Sequence, residues 1–182
     1  MSDLSKFSFF SGGLKGTEAS FGENAEKWGV TETNFSYEGQ ELSRNTGNKT
    51  LNDKEMKLGD ISMEIVSTRL KRKYAQAEKI RKVFQVIFHI VNSGYQVFSV
   101  GRILEDNTVK GGTGWGVELG IFFNRPVSVY DQDTNKWYTW KNNGWVPEIP
   151  VITSETFCAT GTRYLTKEGR DAIDDLFERS FG

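Results

Sequence analysis

The stretch Lys110-Gly111-Gly112-Thr113-Gly114-Trp115-Gly116-Val117-Glu118 places three glycines in four positions directly before an apolar segment that predicts a helix. A second stretch, Ser11-Gly12-Gly13-Leu14-Lys15-Gly16-Thr17-Glu18, follows the apolar run 7–10 in the same way. Glycine allows a tight turn and a close approach to a ligand, and a helix N-terminus offers free N–H groups and the positive end of a dipole. Two such turns in one chain predict two backbone cradles for the anionic part of a nucleotide.

Length and composition limit the class of protein. At 182 residues we expect one domain, 1–182, large enough to bury a core. The net charge of -1 argues against nucleic acid as a partner. One cysteine and one histidine exclude an internal disulfide and a metal site built from several such residues, so we expect no metal and no cofactor. The chain lacks a membrane-length apolar run and a signal-peptide pattern, which predicts a protein of the cytoplasm with no membrane partner.

Strand and helix patterns alternate along the chain. The predicted elements are a strand at 6–10, a helix at 17–28, two helices within 61–91, a strand at 95–100, a helix at 115–123, a strand at 127–130, a hairpin within 131–145 and a helix at 167–181. This alternation predicts an α/β fold with a Rossmann-like, mostly parallel sheet flanked by helices, and a small β-hairpin near the C-terminal third. Both glycine turns then lie at the carboxyl ends of strands, where such folds bind ligands. The polar residues 34–60 predict a flexible loop region.

Neither glycine turn matches a standard nucleotide fingerprint. The first is not Gly-x-Gly-x-x-Gly, and the second lacks the Lys-Ser/Thr pair that completes a P-loop. These differences argue against ordinary dinucleotide dehydrogenases and nucleotide triphosphatases. A single Gly-Gly turn also occurs in purely structural turns, whereas two that each open a helix favour a ligand site.

Charged side chains near the turns are candidates for ligand contacts. Glu118 follows Gly114 by one helical turn, where a carboxylate can bind ribose hydroxyls or act in acid–base chemistry. The alternative is a first-turn glutamate that stabilises the helix dipole by ~0.3–1 kcal/mol. Glu18 holds a comparable place after the first turn. The predicted ligand-binding residues are Ser11, Gly12, Gly13, Lys15, Gly16, Glu18, Arg81, Gly111, Gly112, Thr113, Gly114, Trp115, Asp131, Thr162 and Arg163.

Two arginines in this set are predicted phosphate clamps. Arg81 borders the apolar face of a basic helical segment, and Arg163 follows Gly161-Thr162 ahead of the last helix. A guanidinium at either place can bind phosphate through two hydrogen bonds. The other Lys and Arg residues between 69 and 82 fit a solvated helix face, and single-stranded nucleic-acid binding through them is the weakest alternative.

The Ser-Gly-Gly at 11–13, together with the Gly-Gly-Thr-Gly at 111–114 and Glu118, resembles the SLOG superfamily of Rossmann-like nucleotide binders. That superfamily includes the Lonely Guy phosphoribohydrolases, DprA and the ligand-sensing domains of TRPM channels. The Lonely Guy motif, Pro-Gly-Gly-x-Gly-Thr-x-x-Glu, is matched except that Lys110 and Trp115 replace the proline and the threonine. Arg81-Lys82 is similar to the upstream Arg-Lys pair of those enzymes.

The whole chain looks closer to another branch of the superfamily, which occurs in phage genomes. That branch carries Ser-Gly-Gly-x-x-Gly, Gly-Gly-Thr-Gly-Trp, Asp-Gln after a strand, and Gly-Thr-Arg. These elements stand here at 11–16, 111–115, 131–132 and 161–163.

The resemblance implies a ligand that is a nucleotide, cyclic or linear, or an ADP-ribose-derived molecule, and it implies a homo-oligomer. The favoured hypothesis is capture without turnover. A phage protein in the host cytoplasm would then act as a sponge for a nucleotide immune signal, an anti-defence role. The alternative is a phosphoribohydrolase that cleaves the N-glycosidic bond of a nucleoside monophosphate. In that reaction Glu118 is the catalytic residue and Arg81 holds the phosphate.

Overall fold

Eight strands and six helices alternate in the residues that the computed structural model describes, 3–74 and 77–182. In chain order they are β1 (Ser8–Ser11), α1 (Thr17–Trp28), β2 (Thr31–Tyr37), β3 (Asn48–Leu51), α2 (Asp53–Lys57), α3 (Asp60–Leu70), α4 (Glu78–Ser93), β4 (Gln96–Gly101), α5 (Thr113–Phe122), β5 (Val127–Asp131), β6 (Lys136–Lys141), β7 (Gly144–Pro147), β8 (Thr156–Gly161) and α6 (Lys167–Phe181).

The strands form one sheet in the order β3-β2-β1-β8-β4-β5-β6-β7. Neighbours are parallel from β3 to β5, and β5, β6 and β7 are antiparallel. The chain winds outward from β1 in one direction through β2 and β3, and from β4 in the other direction through β5. The last strand, β8, fills the position between β1 and β4. The predicted α/β fold with a mostly parallel sheet and a hairpin is confirmed.

Each face of the sheet packs against its own layer of helices. Successive strand residues point to opposite faces, so that Phe98 joins the core under α1 and α6 while Val97 joins the core under α3, α4 and α5. Because helices cover both faces, the central strands β4, β5 and β8 are buried along most of their length.

Local sequence features place several element ends. Gly29 ends α1 in the left-handed conformation, with φ 75°, and the Thr166 side chain accepts a hydrogen bond from the Gly169 N–H at the start of α6. Asn142 and Asn143 form the β6–β7 turn with φ of 52° and 59°. The helices predicted within 61–91 are α3 and α4, except that residues 75–76 lie outside the described residues.

The prediction of a loop at 34–60 holds for residues 38–47, which contain no helix or strand, and is wrong for most of the remaining residues. This segment holds the second half of β2, the edge strand β3 and the short helix α2. In β3 only Leu51 is buried, because an edge strand exposes its polar side chains and gives no apolar alternation to detect. Asn52 and Glu55 then form a capping box at the start of α2. The central strand β8 is also missing from the sequence-based prediction.

Candidate functional site

A cavity of about 800 Å³ lies at the carboxyl ends of β1, β8 and β4. Winding changes direction at this point of the sheet, which is where open α/β sheets bind their ligands. The volume falls within the range of roughly 300–1,000 Å³ that small-molecule sites occupy. Both glycine turns, the turn after β8 and one face of α4 contribute to its wall.

One side of the cavity is an apolar wall formed by α4. Val83, Phe84, Ile87 and Ile90 recur at helical spacing, and together they present one face of the helix to the cavity. A methyl group added at Gly12 would lie 3.3 Å from Ile90 Cδ1, so the first glycine turn approaches this wall closely. The wall can pack against a planar apolar group such as a nucleobase.

The start of α5 faces the cavity with free hydrogen-bond donors. The backbone N–H groups of Gly111, Gly112 and Thr113 have no hydrogen-bond partner among the described residues. Gly114 and Trp115 follow, and their N–H groups donate to the carbonyl oxygens of Gly111 and Gly112. Three consecutive free donors at the positive end of a helix form an anion-binding arrangement.

The first glycine turn, unlike the second, is occupied by contacts within the protein. The Thr17 N–H and hydroxyl both donate to the carbonyl oxygen of Thr162, at 3.1 and 2.9 Å, and this contact occupies the start of α1. Gly13 accepts hydrogen bonds from the N–H groups of Ser43 and Arg44. Gly16, with φ 93°, packs against the β8 turn, where a Cβ would lie 2.5 Å from the Thr162 oxygen. Of the turn's three glycines, Gly12 lines the cavity.

Cations surround the mouth of the cavity. Lys79, Lys110 and Arg163 are exposed lining residues that form no ion pair with any described residue. Arg102 also lines the cavity, and its guanidinium pairs with Asp133. The three unpaired cations and the α5 donors together favour an anionic ligand.

Glu18 is the one carboxyl group among the described residues that line this cavity. Its side chain is buried, with 5% of the residue exposed, and burial raises the pKa of Glu18 to about 7. The pKa of Glu18 is lowered, against the effect of burial, by hydrogen bonds from the Gly12 N–H and from Ser11 and by the positive charge of Arg163. A buried carboxyl group with a raised pKa in a cavity is characteristic of functional sites.

The Ser11 hydroxyl opposes the effect of burial on the pKa of Glu18. Ser11 Oγ lies 2.7 Å from the carbonyl oxygen of Ala159 and 3.4 Å from Glu18 Oε1. The longer contact is a hydrogen bond donated to Glu18, which stabilises the ionised carboxylate and so lowers the pKa of Glu18.

Glu18 is expected to lower the stability of the unliganded protein as the pH rises from about 4.5 to about 7. Over this range the native state retains the Glu18 proton, whereas the unfolded state, with a pKa of 4.5, has released it. The shift corresponds to at most about 3 kcal/mol in the free energy of unfolding. Urea unfolding across this pH range should show the Glu18→Gln variant gaining stability relative to the wild type. A difference that does not change with pH would contradict the expectation.

Several predicted site residues lie away from the cavity. Glu118 forms an ion pair with Arg69, Nε to Oε1 2.8 Å, and joins α5 to α3. Arg81 pairs with Asp60 at 3.3 Å, and its guanidinium lies 4.0 Å from the centre of the Tyr74 ring.

Two more residues of the predicted set, Trp115 and Asp131, have structural roles in core packing and in turn capping. Trp115 is buried and stacks on Phe84, with ring centres 4.4 Å apart. Asp131 accepts a hydrogen bond from the Asp133 N–H and so caps the β5–β6 turn. The predicted residues that do line the cavity are Gly12, Glu18, Gly111, Gly112, Thr113, Thr162 and Arg163.

Sequence reasoning missed the α4 wall and two of the three unpaired cations, Lys79 and Lys110. The apolar spacing of α4 predicts a buried face, and the same spacing serves a core and a cavity wall equally. Lys110 stands directly before the glycines, so its position next to a predicted anion cradle was the available signal.

No family model, curated protein or solved structure matches this chain. Within residues 3–74 and 77–182, every helix is too short or too polar to cross a membrane. The same residues contain no group of three or more His, Cys, Asp or Glu side chains arranged to hold a metal ion. Function is therefore inferred from the cavity itself.

Proposed function

We propose that the protein binds a nucleotide or an ADP-ribose-derived molecule in the cavity at the β1, β8 and β4 strand ends. The main support is the row of unpartnered N–H groups at Gly111–Thr113, three residues that line a cavity with a cationic mouth. The apolar α4 wall lines the same cavity, and its residue Phe84 lies beside Gly112 at the start of α5. A nucleotide has the same division, with a planar base at one end and an anionic phosphate at the other.

Capture without turnover is favoured over cleavage of an N-glycosidic bond. Cleavage needs a carboxylate beside the sugar, and the resemblance assigned that role to Glu118, whereas the carboxyl group that lines the cavity is Glu18, whose pKa burial raises to about 7. Its ion pair with Arg69 holds Glu118 between α3 and α5, away from the residues that line the cavity. Arg81, the expected phosphate clamp, is likewise engaged by Asp60. For a phage protein, capture would sequester a nucleotide immune signal.

The experiment is to incubate the purified protein with adenine and guanine mononucleotides, their cyclic forms and ADP-ribose. Unbound ligand is removed by gel filtration, the protein is denatured, and the released molecules are identified by mass spectrometry. We expect an intact nucleotide or ADP-ribose. Release of a free base with a ribose phosphate would establish cleavage and overturn capture, and retention of none of the panel would overturn nucleotide binding.

A further inference from the structure

Arg72 joins the segment after α3 to the loop that leads into α5. Its guanidinium donates from Nη1 to the carbonyl oxygens of Val109 and Gly111, at 3.1 and 3.2 Å. Nη2 donates to Thr108 Oγ1 at 3.1 Å. The cations of this segment were expected on a solvated helix face, whereas Arg72 directs its side-chain donors to the approach to the second glycine turn.

The position of this guanidinium is set from both sides. The Arg72 N–H donates to the carbonyl oxygen of Ser67 at 3.1 Å, and the Arg72 carbonyl oxygen accepts a hydrogen bond from the Ser67 hydroxyl. The Thr108 hydroxyl donates its one hydrogen to Asp106 Oδ1, which leaves its lone pairs for Arg72. The arginine therefore forms a fixed connection between the end of α3 and the glycine turn.

Gly114 leaves the space that this arginine occupies. A Cβ at Gly114 would lie 2.9 Å from Arg72 Nη1 and would clash with the Val109 carbonyl oxygen. Gly114 was predicted to bind the ligand, but it is not among the residues that line the cavity. Its lack of a side chain is explained by the contact between Arg72 and the loop.

The contact with Gly111 orients one of the free donors. In a trans peptide the C=O of one residue and the N–H of the next point in opposite directions, and no described peptide bond is cis. Arg72 and the Gly114 N–H both donate to the Gly111 oxygen, so the Gly112 N–H points away from them. Gly112 lines the cavity, and its N–H has no partner among the described residues.

The charges at the start of α5 are the reverse of those that a helix N-terminus favours. Carboxylates stabilise the positive end of a helix dipole, yet the first turn of α5 contains no acidic residue. Arg72 and Lys110 place two cations there, and neither forms an ion pair with any described residue. Asp106, which reaches Arg72 through the Thr108 hydroxyl, is exposed to solvent. A bound anion would supply the missing negative charge.

We propose that Arg72 is a positioning residue for the phosphate or pyrophosphate of the ligand, because it holds the Gly111–Thr113 turn in its anion-binding conformation and adds its positive charge to the turn. Arg72 does not line the cavity, so it acts through the turn rather than by touching the ligand. Donors that are already in place bind an anion more tightly than donors that must be ordered on binding. This inference rests on the proposed function, since it presumes that an anionic ligand occupies the cavity.

The test is calorimetric titration of ADP-ribose into the wild type, Arg72→Ala and Arg72→Lys at moderate salt. Arg72→Ala is expected to raise the Kd roughly 30-fold, since the charge and the order of the turn are lost together. Arg72→Lys keeps the charge but lacks the planar fork that binds several oxygens at once. Its Kd is therefore expected to rise by less, roughly fivefold.

A matched control and a local measurement separate positioning from folding. Lys73→Ala removes a cation from an exposed neighbour that does not line the cavity, and it should bind within about twofold of the wild type. Inorganic pyrophosphate should shift the NMR amide signals of Gly111–Thr113 in the wild type. In Arg72→Ala the same addition should leave these signals nearly unchanged, while the other signals remain those of a folded protein.

Three results would overturn the role of Arg72 while leaving nucleotide binding in place. The first is a Kd for Arg72→Ala within about twofold of the wild type, or for Arg72→Lys if the alanine variant does not fold. The second is an equal loss in Arg72→Ala and Lys73→Ala, and the third is a wild type whose Gly111–Thr113 amide signals do not respond to pyrophosphate. Failure of the wild type to bind pyrophosphate and every nucleotide would overturn the proposed function as well.

Discussion

Replacing Lys110 and Arg163 together by glutamate is expected to weaken the binding of ADP-ribose by about 1,000-fold. Each wild-type side chain supplies a cation at the cavity mouth that no described carboxylate neutralises. Loss of two charge-assisted contacts, with repulsion added, corresponds to about 4 kcal/mol. Isothermal titration at moderate salt measures the change directly.

A matched control changes the net charge equally at a distance. Lys54 and Lys57 are exposed on α2 and do not line the cavity, so the Lys54→Glu/Lys57→Glu protein should bind within about threefold of the wild type at moderate salt, where distant charges are screened. Equal losses in the two double variants would mean that overall charge, rather than the cavity mouth, governs binding. Unchanged binding by the Lys110→Glu/Arg163→Glu protein would place the anion elsewhere.

Replacing Arg44 by alanine is expected to lower the free energy of unfolding by about 4 kcal/mol. The Arg44 guanidinium donates through Nε and Nη2 to both oxygens of Glu32, each at 2.7 Å, and the Glu32 side chain is 2% exposed. These contacts raise the Arg44 pKa above its ordinary value. Without the arginine, a buried carboxylate keeps one side-chain donor, Asn34 Nδ2, and no cation.

Urea unfolding followed by circular dichroism checks this value. Arg170→Ala is the control, since its pair with Glu23 is exposed on both sides and should contribute less than about 1 kcal/mol. Adding Glu32→Gln to Arg44→Ala should recover part of the loss, because the uncompensated charge is then removed. A loss below about 1 kcal/mol for Arg44→Ala alone would show that water reaches Glu32.

Features that depend on near neighbours in sequence could be predicted. The glycine turns, the end of α1 at Gly29 and the cap of α6 at Thr166 all depend on residues within one or two turns. The Gly111–Thr113 donors belong to this group, since a glycine turn that opens a helix leaves its first N–H groups free. The choice between Glu18 and Glu118 could not be made this way. Both follow a glycine turn by a few residues, and what separates their roles is the ion pair of Glu118 with the distant Arg69 and the burial of Glu18 in the cavity.

The pairing of β8 was beyond local sequence reasoning for a similar reason. Its four central residues, 157–160, are all buried, so they lack the alternation that identifies a half-exposed strand. Its neighbours in the sheet, β1 and β4, are both distant in sequence. The cavity could not be predicted for the same reason, because its wall combines segments that are distant in sequence: 12–18, 79–90, 110–113 and 160–164.

The central position of β8 has a consequence for biosynthesis. Before residues 156–161 have been synthesised, β1 and β4 each lack the strand that lies between them in the finished sheet. Open strand edges are prone to pair with other chains, and contacts between distant segments form slowly. The sheet is therefore completed only after β8 has been synthesised. The ligand cavity also needs Thr162 and Arg163, so it forms only after these residues have followed β8.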